Sequence, residues 1–127
     1  MHEQMQIWII LKSGKSKKAL LLQTTKRKGE FWEPVTAPID SGLPLAPSAL
    51  LWTGKKTGII FKQVPEQLSE TVFYYLISEK PEELSVDTRD YQSFSWMPLK
   101  EVEECLKEAA HRKAFFKLEE VLKKIKS

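Results

Sequence analysis

The order of periodic segments along this chain predicts an α/β sandwich, with a mixed central sheet flanked by helices. Three observations carry that reading. Short apolar, β-rich runs recur before and after the middle of the chain. A stretch opened by prolines and closed by glycine separates them. Two amphipathic helical patterns end the sequence. A length of 127 residues suits one domain, spanning 1–127, with one core.

Gln6-Ile-Trp-Ile-Ile-Leu11 is a continuous apolar run and reads as a buried strand. Ser13 to Lys18 is a polar turn containing Gly14, and Ala19 to Thr24 returns as the second strand of a hairpin. Thr25 to Glu30 reads as a loop. Phe31 to Val35 is a short extended piece, limited by Pro34 and Pro38. A helix is expected from Leu45 to Thr57. Pro44 and Pro47 suit its approach and first turn, and Gly58 is a natural stop. Gly54 inside it costs about 1 kcal/mol relative to Ala.

Ile59 to Val64 reads as a strand ended by Pro65, and Ser69 to Ser78 as the strongest strand, rich in β-branched and aromatic residues. Glu79 to Val86 is a charged connection. Gln92 to Met97 alternates polar and apolar, as a half-buried strand does. Pro98 opens a helix with the stripe Val102, Cys105, Leu106, Ala109. A last helix is expected over about His111 to Lys126, with Ala114, Phe115, Leu118, Leu122 and Ile125 on one face.

Composition excludes several classes. No apolar run approaches a membrane span, and Met1-His-Glu-Gln lacks the basic start of a secretory signal. Cys105 is the only cysteine, so no internal disulfide forms and a reducing cytoplasm is the expected compartment. Acidic neighbours disfavour its thiolate and assign it to a helix core. His2 and His111 are too far apart in sequence to suggest a metal site. Net charge is +3, too mild to indicate nucleic-acid binding by itself. Its distribution is uneven: Lys12, Lys15, Lys17, Lys18, Lys26, Arg27 and Lys28 fall in one stretch without an acid. Such a region attracts phosphate-rich ligands, although a solvated hairpin tip explains it as well.

The segment from Ala37 to Ile59 resembles the catalytic box of the Nudix hydrolase family, G-x5-E-x7-R-E-U-x-E-E-x-G-U, where U is a bulky aliphatic. Gly58 and Ile59 fall on the closing G-U. Ile39, Asp40 and Gly42 fall where members often read aliphatic, acid and Gly. The lead-in Phe31-Trp-Glu-Pro-Val-Thr36 is similar to that of members that cleave dihydroneopterin triphosphate. Trp96-Met-Pro-Leu-Lys-Glu-Val102 resembles the family's late strand-to-helix junction. The resemblance implies the Nudix α/β/α sandwich and a Mg²⁺- or Mn²⁺-dependent attack on a diphosphate linkage, with carboxylates of one helix holding the metal.

The catalytic letters are absent. Leu43, Leu51 and Trp52 stand for E, R and E, and Lys55 and Lys56 for the paired E-E. The formal charge of those five positions is −3 in the family pattern and +2 here. Positions 52, 55 and 56 share a helix face through their i, i+3, i+4 spacing. A hard divalent ion needs oxygen ligands. An ammonium about 5 Å away opposes it by about 3 kcal/mol per unit charge at an effective dielectric of 20, twice that for a divalent ion. The resemblance therefore implies Mg²⁺, but the residues predict no metal and no intact catalytic set.

Lys55 and Lys56 are candidate phosphate contacts as fixed ammoniums, or solvated lysines favoured by the helix dipole. Leu43, Leu51 and Trp52 are candidates for a patch that takes a partner or a second copy, for base stacking, or for filling a vacated cleft. Arg27, Lys28, Trp32 and Glu33 lie where the family often places substrate contacts, and for Trp32 a core position is the stronger reading. Glu33 and Asp40 are the only carboxylates from Phe31 to Gly58 and make a poor metal site. A remote acid such as Glu70, Asp87 or Asp90 is a candidate general base, with nothing in the spacing to select one.

The expected function is a Nudix-fold domain that has lost pyrophosphohydrolase activity and binds a nucleotide-like phosphate ligand or a protein partner. The alternative is an active hydrolase of nucleoside or pterin triphosphates using displaced carboxylates. Nucleic-acid binding through the Lys12–Lys28 stretch ranks third, and no membrane association is expected.

Overall fold

The computed structural model describes residues 4–40, 42–81 and 83–125; His2, Lys126 and Ser127 lie outside them. Strand β1 (Gln4–Ser13) is the centre of the sheet. Its second half pairs antiparallel with β2 (Ser16–Thr24), from Ile10↔Ala19 to Ser13↔Ser16. Beyond Ile10 the two strands take different partners. β4 (Val35–Pro38) pairs antiparallel with Gln4 to Ile7 of β1, while β3 (Trp32–Glu33) pairs with Leu22 and Gln23 of β2. The 32–38 segment thus bridges β1 and β2 past the end of their own ladder, which brings Glu33 and Thr36 into the sheet.

On its other edge β1 pairs parallel with β6 (Val72–Ile77), and β5 (Glu66–Ser69) closes against β6. β7 (Tyr91–Pro98) pairs antiparallel with the far edge of β2. Among the described residues the result is a mixed sheet of seven strands.

Side-chain alternation along β1 divides the core in two. Met5, Ile7 and Ile9 face α1 (Leu45–Thr57) with Leu20, Leu22, Phe73 and Tyr91. Trp8 and Ile10 face α2 (Leu99–Cys105) and α3 (Ala109–Lys124) with Leu21, Phe115 and Leu118. This is the expected α/β/α sandwich, and the helix over Leu45–Thr57 has its expected bounds.

Three expectations are corrected. Residues 59–64 form no strand: Ile59 is buried and Phe61 stacks on Tyr75 at 3.7 Å, but Ile60 is 82% exposed, so the apolar run packs as an irregular segment. The strong strand expected over Ser69–Ser78 begins only at Val72, because Glu70 and Thr71 form the turn between β5 and β6. Ala109 does not share a stripe with Val102: α2 ends at Cys105, Leu106 bridges to Trp32, and Ala109 starts α3.

Candidate functional site

The C-terminal end of α1 sets the geometry. α1 buries Ala49, Thr53 and Thr57 against the sheet, a stripe of small side chains at i, i+4 spacing. The two threonine hydroxyls are satisfied locally. Thr53 Oγ1 donates to the Ala49 carbonyl at 2.8 Å and Thr57 Oγ1 to the Thr53 carbonyl at 2.7 Å. Gly58 ends the helix at φ 78°, a left-handed conformation that glycine adopts without strain. A side chain there would also press on Ser85, whose Cβ and N lie 3.3 Å from an added Cβ. The following loop caps the helix. Ser85 N–H donates to Thr57 O at 2.8 Å, and Asp87 N–H to Lys56 O at 3.0 Å. Lys56 is thereby held against the 87–91 turn.

That turn presents Asp90. The backbone N–H groups of Asp90 and Tyr91 both donate to Asp87 O, at 3.1 and 2.9 Å, and Thr25 N–H donates to Asp90 O at 3.1 Å. The last bond ties the turn to the 3₁₀ turn Lys26–Lys28. Lys28 and Lys56 converge on the Asp90 carboxylate, one ammonium on each oxygen. The Lys56 side chain is only 12% exposed. Burial pushes the Asp90 carboxyl up, but hydrogen bonds and charge from Lys28 and Lys56 outweigh it and hold the pKa below the usual carboxylate range.

Deeper in the same cleft sits Glu33, 7% exposed. Its Oε2 accepts from Thr36 Oγ1 at 2.7 Å and from Tyr91 OH at 2.9 Å. Burial, then the charge of Glu33, pushes the Tyr91 hydroxyl far above its ordinary pKa, so it stays a donor. Together these residues line a cleft of about 370 Å³, with Glu108 at its rim.

The structure brings Lys28, Glu33 and Lys56 together in this cleft, with Asp90 from among the candidate acids, and sends the other candidate ligand contacts elsewhere. Arg27 is exposed on its turn and does not line it. Trp32 is half-buried against the α2–α3 core. Lys55 diverges from Lys56 into a second depression of about 520 Å³, shared with Leu43, Leu51, Trp52 and Pro47. Trp52 stands between the two: the ammoniums of Lys55 and Lys56 lie 4.8 and 5.6 Å from its ring centre. It also packs on the core, so it is partly filler, whereas Leu43 and Leu51 are 56% and 59% exposed. A third depression, about 570 Å³ beside Phe61 and Tyr75, contains none of these residues.

Asp90, Tyr91 and Thr36 complete the cleft. Asp90 was one of several unranked acids in the sequence. Thr36 carried a signal, as the last letter of the lead-in to the box. Tyr91 carried none. Among the described residues no group of three or more His, Cys, Asp or Glu side chains is arranged to hold a metal ion, and no helix is long and apolar enough to cross a membrane.

No family model and no curated protein matches this chain in sequence. Solved structures do match its fold. An Ap4A hydrolase of C. elegans, in a binary complex, superposes with a TM-score of 0.76 at 17% identity, over 98% of this chain and 100% of that one. The Nudix domain of NrtR from Shewanella oneidensis, complexed with ADP ribose, gives 0.75 at 17% identity, over 94% and 86%. RenU, a Nudix hydrolase of M. smegmatis, gives 0.76 at 14% identity, over 99% and 88%. At these identities the likeness establishes architecture, and over nearly its whole length this chain has the Nudix hydrolase fold.

Proposed function

We propose that this chain is a Nudix-fold binding domain that takes a nucleotide-like phosphate ligand and does not hydrolyse it by the family's metal route. The observation that carries this reading is the convergence of Lys28 and Lys56 on a single anionic group, Asp90. Two ammoniums held around one carboxylate form an anion site with an internal occupant. A ligand phosphate, with more charge and more acceptor oxygens, competes for the same donors. The cleft volume falls in the range of small-molecule sites. The NrtR Nudix domain, which has the same fold, is complexed with ADP ribose.

The donor set does not fit a Mg²⁺ centre. Asp90 is committed to two lysines, Glu33 Oε2 to Thr36 and Tyr91, and the α1 face offers Trp52, Lys55 and Lys56. A divalent ion beside Lys56 meets like charge where it needs oxygen. The alternative, hydrolysis through displaced carboxylates, has Glu33, Asp90 and Glu108 in one cleft in its favour.

Isothermal titration with nucleoside di- and triphosphates and a nucleoside diphosphate sugar tests the proposal. Binding is expected for the parent chain and a tenfold or greater loss in Lys56→Ala. No heat at millimolar ligand would remove the nucleotide reading. Pyrophosphate release with Mg²⁺ or Mn²⁺, abolished by Glu33→Gln, would establish the hydrolase instead.

A partner-binding role rests on Leu43 and Leu51, exposed around the depression that contains Trp52. Light scattering of the parent and Leu51→Glu chains tests self-association through this face. For compartment we propose the cytoplasm, on the single half-buried cysteine.

A further inference from the structure

We propose that the tip of the β1–β2 hairpin is a second site, separate from the cleft, for the phosphate backbone of a nucleic acid strand. The hairpin register sets Lys12 directly opposite Lys17 and Leu11 opposite Lys18. Like charges directly opposite each other in a sheet are destabilising, so this end of the sheet carries repulsion that the fold does not relieve. Lys15 in the turn and Lys100 in the first turn of α2 extend the cluster. A groove of about 480 Å³ runs between them, lined by Lys15, Lys17, Lys18 and Lys100, with Pro98 and Leu99.

Among the described residues no carboxylate lines this groove. Among the described residues none of these five lysines takes part in a salt bridge, whereas Lys28 and Lys56 both do. The acids of α2, Glu101, Glu103 and Glu104, pair with none of them. The charge here is therefore available to a ligand. Ammoniums act as point charges on phosphate oxygens, and several in a row favour a ligand that presents several phosphates.

A membrane surface is the other polyanion that fits such a field, but adsorption to a bilayer is strengthened by apolar side chains that enter it. Among the described residues the only apolar side chains here are Pro98 and the half-buried Leu99, and the exposed large ones, such as Leu43, Leu51, Ile60 and Phe94, are not in this groove. A nucleic acid backbone needs no such anchor.

Fluorescence anisotropy with a labelled single-stranded RNA oligonucleotide, and a DNA of the same length, tests this. With four or five phosphates neutralised, the slope of log K against log salt is expected near −3. The double substitution Lys17→Glu, Lys18→Glu is expected to lower affinity at least tenfold, and Lys113→Ala, on exposed α3 surface, to leave it unchanged. Circular dichroism checks that the double variant folds. If it does not, Lys15→Ala and Lys100→Ala, both fully surface positions, are expected to reduce the slope by about 0.7 each. Binding that ignores salt, survives these substitutions or is undetectable at about 100 μM overturns the proposal. So does tighter binding to phosphatidylserine vesicles than to either oligonucleotide.

Discussion

Lys28 and Lys56 share a carboxylate inside a cleft, whereas Lys12 and Lys17 face each other across a hairpin with no acid between them. The same side chain has two physical roles here. In the cleft the ammoniums are half-sequestered and balanced, and their charge helps hold α1, the Lys26–Lys28 turn and the 87–91 turn together. At the hairpin tip the charge is unbalanced and solvated, and it opposes the fold slightly while remaining open to a ligand. Lysine count alone, or net charge, conceals that difference; pairing reveals it. Substitutions that invert or remove one charge should therefore act strongly in the first region and weakly in the second.

The largest effect is expected from Lys56→Glu. It sets a carboxylate against Asp90 in the space where a 12%-exposed lysine was paired, and an uncompensated charge of that kind costs about 3 kcal/mol or more. Urea unfolding measures it. A loss below about 1 kcal/mol would mean that the ion pair contributes no more than an ordinary exposed one. Adding Trp52→Glu and Lys55→Glu rebuilds the acidic face of α1, and that triple variant should gain a Mn²⁺-dependent rise in melting temperature that the parent chain lacks. Asp90→Asn is expected to cost less, about 1–2 kcal/mol, because the amide still accepts a hydrogen bond while the two ammoniums lose their shared counter-charge. Its sign with pH is definite. The Asp90 carboxyl is lowered in the folded chain, so its contribution is present above the unfolded pKa of about 3.9 and is lost as pH falls through the folded value. The Asn variant should lack that acid limb, and its affinity for a nucleoside triphosphate should exceed the parent's.

The sequence made the central helix fully legible, because its signals are local: prolines at the start and a glycine at φ 78° at the end. The sandwich and the existence of both terminal helices were legible from periodicity, but the break after Cys105 that puts Ala109 on the last helix was not. The 59–64 segment was not, since an apolar run bounded by Gly58 and Pro65 looks alike whether it pairs as a strand or packs as a loop. Of the cleft, Lys28, Glu33 and Lys56 were legible through the resemblance of the lead-in and the box. Asp90 was not, because its position depends on a turn that caps α1 from thirty or so residues away in sequence, and no local pattern encodes that contact. The spacing of Trp52, Lys55 and Lys56 located them on one helix face but could not tell that Lys55 and Lys56 enter different depressions.

His111 gives an intermediate effect that separates buried from exposed charge in another way. Its ring is buried, its Nδ1 has no hydrogen-bond partner, and Nε2 lies 3.6 Å from Glu108. Burial lowers its pKa, and the opposing charges of Glu108 and Glu33 do not fully offset this. The unfolded chain therefore binds the proton first as pH falls below about 6.5, and stability declines from there toward the depressed folded value, by at most about 1.4 kcal/mol per pH unit. Above about 6.5 the contribution is complete. His111→Gln should flatten unfolding free energies measured between about pH 5 and about pH 7.5, and an unchanged slope would assign the dependence to another group.

The smallest effect is the one that tests the hairpin side of the comparison. Lys12→Glu turns the Lys12↔Lys17 repulsion into a cross-strand ion pair. The gain expected is about 0.2–1 kcal/mol, the usual scale for such pairs, and it should appear as a stabilised chain rather than a destabilised one. Exposed charges are screened over about 10 Å at 0.1 M salt, so the gain should shrink toward zero by about 1 M NaCl, while the loss in Lys56→Glu, half-buried, should persist. A Lys12→Glu chain less stable than its parent at low salt would mean that Lys12 already has a favourable partner, and the contrast between balanced and unbalanced lysines would fail at its weaker end.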